Sequence, residues 1–206
     1  MDARQYAPAT QRNREPILEV LAKLIPENSN VLEIASGTGE HGFLFAQQLK
    51  FGCWIPSDPN PESRSSIIAW KNCSGLDNLE LPLSINVTQP EWQEQLEEKK
   101  IDVVVNINMI HISPWSACLG LISGVGKLLS TEGILYLYGP FKRNGKHTAP
   151  SNANFDLALR DRNSDWGIRD LEQVIEVAAL VSLELQEVIE MPANNLSVVL
   201  SHQAEQ

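Results

Sequence analysis

Two hydrophobic periods alternate along the chain. Ile17, Leu18, Leu21, Leu24 and Ile25 recur at helical spacing after Pro16, a residue suited to a first helical position. The apolar run Val31-Leu32-Glu33-Ile34 then reads as a strand. It turns on glycines and runs straight into a second helical pattern over Phe43, Leu44, Ala46, Gln47 and Leu49. The next segments predict a strand over 52–57 that ends at Asp58, a helix over 62–70, an alternating third strand over 79–87 and a short charged helix over 92–100. Ile101-Asp102-Val103-Val104-Val105-Asn106 is β-branched, as expected of a strand buried on both faces. A helix follows from Pro114 through Leu128, then a strand over 133–138. Residues 140–168 are polar, rich in Gly and Asn, and too long for a plain connection. The pattern closes with a helix over 170–181 and two strands over 183–191 and 196–202, joined by a Pro-Ala-Asn-Asn turn.

Strands that alternate with helices imply a mostly parallel sheet covered on both sides. At 206 residues, without repeat or linker, the chain reads as one domain over 1–206. Composition changes this picture little. The net charge of −10 argues against a nucleic-acid partner, because phosphate binding needs a basic face. Cys53, Cys73 and Cys118 are scattered without a C-x-x-C, which predicts reduced thiols, no metal site and a cytoplasmic location. No apolar run approaches the roughly 18 residues needed to span a bilayer. The polar start Met1-Asp2-Ala3-Arg4-Gln5-Tyr6 does not read as a signal peptide.

The chemistry gathers on the glycine turn. Gly37-Thr38-Gly39-Glu40-His41-Gly42 satisfies G-x-G-x-x-G, a pattern too common to identify a dinucleotide site alone. Glycine lets a ligand approach the main chain closely, and the helix that starts there points unpaired N–H groups into the loop. A carboxylate inside the strand, Glu33, has little to do in a nicotinamide site. Val31 to Gly39 resembles instead the strand, acid, small residues and Gly-x-Gly of class I S-adenosylmethionine (SAM) methyltransferases. The terminal hairpin is also similar to theirs. The resemblance implies an α/β, Rossmann-like fold with a seven-stranded, mostly parallel sheet that ends in an antiparallel hairpin.

It also implies a SAM site. Glu33, Ala35, Ser36, Gly37, Thr38 and Gly39 would form its loop. Asp58, at a strand end, can accept both ribose hydroxyls, or can be a turn aspartate before Pro59. Asn86 and Val87 stand where an adenine is held, although an acid is commoner than Asn86 there; a turn asparagine is the other reading. Asn106, Asn108 and Met109 lie on the segment that passes the methionine part. His111 follows as a candidate general base or substrate ligand, or equally a structural histidine.

Four blocks narrow the resemblance. They are Tyr6-Ala7-Pro8-Ala9-Thr10-Gln11-Arg12-Asn13 with Glu15-Pro16-Ile17-Leu18; Leu32 to His41; Asn106 to Trp115; and Gly139-Pro140-Phe141 through Trp166-Gly167-Ile168-Arg169 to Met191-Pro192-Ala193-Asn194-Asn195. Together they resemble the family of methyltransferase-like protein 26, which carries no established substrate. Residues of these blocks outside the SAM loops are candidates for a substrate pocket: Tyr6, Arg12, Asn13, Trp115, Phe141, Asn152, Asp156, Arg169 and Asn195. The plainer reading is that Phe155, Trp166 and Ile168 pack the 140–168 insertion, with Asp156 and Arg169 as an ion pair. The expectation is a SAM-dependent methyltransferase of a small molecule, with segments 1–15 and 140–168 over the site. A non-catalytic SAM-binding module and an NAD(P)-dependent oxidoreductase are the alternatives.

Overall fold

The computed structural model describes residues 2–96 and 98–202. Residue 1, residue 97 of the expected charged helix, and residues 203–206 lie outside the described residues. The chain forms two compact units. One comprises the residues up to Asn86 with Lys100–Val105, the other Val87–Lys99 with the residues from Asn106 onwards.

The first unit opens with helix α1 (Pro8–Leu24), which starts at Pro8 rather than at the expected Pro16. Pro8 needs no N–H donor at a first-turn position, and Pro16 lies inside the helix. The early turns escaped the hydrophobic pattern because half of the buried face is polar: Thr10 and Asn13 continue the stripe of Ile17 and Leu21. Strand β1 (Asn30–Ile34) leads through the glycine turn to helix α2 (Glu40–Gln48). Strand β2 (Cys53–Ser57) pairs with β1 in parallel, and helix α3 (Pro61–Ser74) follows, capped by the Asn60 side chain on the Glu62 N–H at 2.7 Å. The indole of Trp54, fully buried, packs with Phe45 and Phe51.

Strand β3 (Val103–Ile107) is buried along its whole length. In the second unit helix α4 (Trp115–Leu128) leads to strand β4 (Ile134–Gly139), a two-residue hairpin of β5 (Lys142–Arg143) and β6 (Lys146–His147), and helix α5 (Pro150–Arg162). Helix α6 (Leu171–Ala179) and the long antiparallel strands β7 (Leu183–Met191) and β8 (Asn195–His202) complete it. Gly124 marks where α4 is held close: a Cβ there would lie 2.3 Å from the ring of Trp92.

The strands form one mixed sheet in the order β2-β1-β3-β4-β8-β7, with β8 antiparallel to both neighbours. Among the described residues the sheet has six strands, not seven. The expected strand over 79–87 makes only two isolated parallel bridges to β2, Trp54 with Leu79 and Ser57 with Leu83. Two prolines explain the break. Pro56 offers no N–H at the middle rung and Pro82 none on the opposite segment, while three steps along β2 face four along its partner. What remains is four main-chain hydrogen bonds of 2.7 to 3.1 Å, from Trp54 N–H to Asn78 O, Glu80 N–H to Trp54 O, Leu83 N–H to Pro56 O and Asp58 N–H to Leu83 O.

Two further expectations change. The stretch over 92–100 is a short 3-10 turn over Trp92–Leu96. The 140–168 segment is largely structured, with α5 at its centre. That helix buries Asn152, Asp156 and Leu159, so its inner face is mostly polar and carried no apolar signal. Among the described residues no helix is long and apolar enough to cross a membrane.

Candidate functional site

At the carboxyl end of β1 the backbone turns through three residues of positive φ, Ala35 at 59°, Gly37 at 56° and Gly39 at 86°. Gly39 is the N-cap of α2, and its left-handed conformation sets the helix running from the loop. A Cβ at Gly39 would press on Ile67 at 2.8 Å, whereas one at Gly37 would meet nothing within 4 Å. The floor of the loop is thus packed and its rim at Gly37 is open.

Serines lock the floor. The Ser36 N–H donates to Ser57 O at 2.8 Å, and the Ser57 hydroxyl donates to Glu33 O at 2.7 Å. Asp58, nearly buried, then reaches the rim. Its Oδ2 accepts the Gly37 N–H at 3.0 Å and its Oδ1 the Asn60 N–H at 2.8 Å. Asn60, not Asp58, caps α3. Each Asp58 oxygen takes one main-chain donor, which leaves a lone pair on each for a further hydroxyl.

Glu33 lies beneath the loop at 1% exposure. Its Oε2 accepts the Trp54 indole N–H at 3.1 Å, and Gly42 leaves room for both groups, since a Cβ there would stand 2.7 Å from that nitrogen. Burial pushes the Glu33 carboxyl up to about 7, against hydrogen bonds from Ser36 and Trp54 that pull it down. Glu40, in the G-x-G-x-x-G run, is also buried. Its Oε2 accepts the Thr38 hydroxyl at 3.1 Å and the Ala7 N–H at 2.5 Å, while its Oε1 has no hydrogen-bond partner among the described residues. An acid at a helix start reads as a dipole complement, so no sequence signal separates that role from this one.

The N-terminal segment is strapped to the same loop. Gln5 N–H donates to the Ser66 hydroxyl, which donates to Thr38 O at 2.7 Å. Tyr6 meets Trp70 edge-on at 5.2 Å between centroids. Asn13 Oδ1 lies 2.9 Å from Nε2 of His41, a ring that burial holds down to about 3 and therefore neutral. Arg12 is exposed and does not join this group, and Asn86 lies exposed beyond the broken strand.

The second unit gathers another set. Asn108, left-handed at φ 64°, starts the short turn Met109–His111. Met109 and Val87 are buried, and Asn106 is 1% exposed near the end of β3. His111 is fully buried. Its Nδ1 accepts the Arg169 N–H at 3.2 Å, its carbonyl accepts the Gly167 N–H at 2.9 Å, and Phe141 meets the ring edge-on at 4.9 Å. Burial, and after it the Arg169 charge, hold the imidazole down to about 3. The neutral ring therefore carries its proton on Nε2, and that buried nitrogen has no partner among the described residues.

Asp156 and Arg169 do not pair with each other. Asp156 takes the Ile168 N–H at 2.6 Å and the side chains of Lys142, Arg160 and His147 at 3.1, 3.2 and 3.4 Å. Arg169 donates to the carbonyls of Ile110, Ser113 and Asp165 and lies over the ring of Trp115 at 5.6 Å. Each of the two anchors a loop separately, in place of the expected ion pair. Asn152 stands apart, donating to Thr148 Oγ1 and Asn194 O, and Asn195 donates to Pro192 O at 3.0 Å.

The first unit's loop thus combines the N–H groups at the start of α2, the Asp58 carboxylate, the buried acids Glu33 and Glu40, and open space at Gly37. Solved structures of methyltransferases share the fold. An O-methyltransferase family protein from Burkholderia thailandensis superposes with a TM-score of 0.78 at 16% identity, over 96% of this chain and 58% of its own. An O-methyltransferase family 2 protein from Planctomyces limnophilus, in complex with apigenin, gives 0.73 at 18%, over 94% and 59%. This chain thus spans less than two thirds of either protein. A chain of the Haloferax volcanii complex between the Trm112 methyltransferase activator and a methyltransferase gives 0.74 at 14%, over 95% and 92%. The fold is therefore α/β and methyltransferase-like, with a mixed sheet. The family model that matches residues 4–202 is described as "Protein of unknown function (DUF938)", and the chain belongs to that family.

Proposed function

We propose that the protein is a SAM-dependent methyltransferase of a small molecule, of the methyltransferase-like protein 26 group, acting in the cytoplasm. The observation that carries this reading is the rim of the glycine loop, where Asp58 holds the Gly37 N–H and no protein atom fills the space above Gly37. In this reading Asp58 accepts the ribose hydroxyls, and the main chain of 35–39 with the first N–H groups of α2 binds the amino-acid end. Glu33 and Glu40 supply negative charge to the cationic end. The bound cofactor supplies a methyl group already activated on a sulfonium. The protein's share is then alignment and exclusion of water, for which no strong base is needed.

His111 fits this economy as a donor. With Nδ1 occupied by the Arg169 N–H, its Nε2–H is the group available to orient an acceptor oxygen. Trp115, Phe141 and Arg169, which gather around His111 in the second unit, form the substrate side of this reading. Incubation with methyl-labelled SAM and a fractionated small-molecule extract tests the reading. Label in a small, acid-soluble product is expected, and none with an Asp58→Ala variant. Binding of SAM with no label transferred to any fraction would contradict it and leave the SAM-binding module in its place.

A further inference from the structure

The second unit contains a cavity of about 600 Å³, lined by Trp115, Lys142, Asn144, Arg160, Arg169 and Gln173 among others. That volume is in the range of small-molecule sites, roughly 300–1,000 Å³. Its lining carries a surplus of positive charge, three cations against the one carboxylate of Asp170. In a chain of net charge −10, three cationic side chains converge on one cavity.

The acids around it are already engaged. Asp156 holds Lys142, Arg160 and the Ile168 N–H. Asp170, also in the lining, accepts the Gly145 N–H at 2.5 Å, and Glu172 accepts the Asn144 N–H at 2.8 Å. Arg169 differs from the other two cations. Its Nε and Nη2 donate only to main-chain carbonyls, and no carboxylate of the described residues pairs with it. Three carbonyls fix the guanidinium in place, so its remaining donors are preorganised rather than free to turn. Burial, chiefly, holds its pKa below the ordinary arginine value, as expected of a cation short of countercharge. The ring of Trp115 adds a flat apolar wall beside it.

We infer that this cavity binds a small organic carboxylate with a planar apolar body, its carboxylate on the Arg169–Arg160–Lys142 side and its plane against Trp115. Carboxylates match guanidinium donors in charge and geometry, and the side-chain amides of Asn144 and Gln173 serve further polar substituents. Trp115 and Arg169 also belong to the proposed substrate side, so this rests on that reading for its place in the reaction, while the binding itself needs neither SAM nor turnover.

Benzoate is the probe, titrated into the protein without cofactor and followed by protein NMR shifts, with neutral benzamide and inorganic phosphate as parallel arms. Saturable benzoate binding is expected, with shifts centred on Trp115 and Arg169, at least tenfold tighter than benzamide. Gln173→Glu places an acid in the lining without breaking any bond described above, and should weaken benzoate at least tenfold. Gln173→Ala should change it no more than about twofold. Thermal melts of both variants matching the wild type certify the fold. No saturable binding, equal affinity for benzamide, or a Gln173→Glu variant that binds like the wild type would each overturn the proposal. Phosphate binding more tightly than benzoate would overturn the assignment to carboxylates.

Discussion

Glu33→Gln should stabilise the protein above neutral pH and leave it unchanged in acid. Burial raises the carboxyl from an ordinary 4.5 to about 7. Between those values the folded state holds a proton that the unfolded state has lost, so stability falls as pH rises through the window and levels off above about 7. A shift of that size corresponds to about 3 kcal/mol. Glutamine keeps an oxygen for the Trp54 indole N–H and carries no charge to bury. Denaturant unfolding of both proteins from pH 4 to pH 9 should show curves that coincide near pH 4 and separate by about 3 kcal/mol at pH 8. For a chain of this size that is on the order of 5–10 °C in Tm. The buried His41 and His111 act in the opposite sense, lowering stability as pH falls below about 6.5, but they are common to both proteins and cancel in the difference. Curves that stay parallel would show that Glu33 is not the titrating group. A side chain so costly when ionised is explained if its charge faces a cation. The same substitution should therefore weaken SAM binding, by about tenfold for one lost charge interaction.

Asp58→Ala should weaken S-adenosylhomocysteine by at least about a hundredfold. The alanine removes two acceptor oxygens for the ribose and also the tie to the Gly37 N–H, each a charge-assisted bond of roughly 1.5–3 kcal/mol. Asp58→Asn keeps one acceptor and the tie, so it should fall between wild type and alanine. An alanine variant that binds like the wild type would remove Asp58 from the site. Loss of fold would not explain the expected result if the variant's melt stays within a few degrees of the wild type, as it should when Ser36 and Ser57 still lock the loop.

How much of this was legible in the sequence depended on whether the buried face of an element was apolar. Strand β1, the glycine turn, β2 and the terminal hairpin lie where their alternating or β-branched residues placed them. Helix α5 and the first half of α1 were hidden for one reason: Asn152 and Asp156 in the one, Thr10 and Asn13 in the other, fill inward positions where an apolar residue is the usual sign. Buried polar groups need partners supplied by distant residues, such as His41 for Asn13, and spacing along the chain cannot show these. The seventh strand failed for a different reason. Pro56 and Pro82 each removed a donor from a ladder whose apolar alternation was otherwise convincing. In the site, the loop and Asp58 were read from strand-end logic, because the fold brings strand ends together wherever the strands are recognised. Glu40 and the cations at Lys142 and Arg160 were not, since their significance lies in what surrounds them: an oxygen without a partner, and acids already shared.

Calorimetric titration of S-adenosylhomocysteine into wild type and Gly37→Ala tests the central claim most directly. Alanine at φ 56° costs the fold about 1–2 kcal/mol and touches no protein atom within 4 Å, so its methyl group intrudes only on a ligand. Micromolar binding by the wild type, lost in a folded Gly37→Ala variant and absent for NAD, is the predicted result. A folded wild type that binds NAD and not S-adenosylhomocysteine, or a variant that binds S-adenosylhomocysteine as the wild type does, would contradict it.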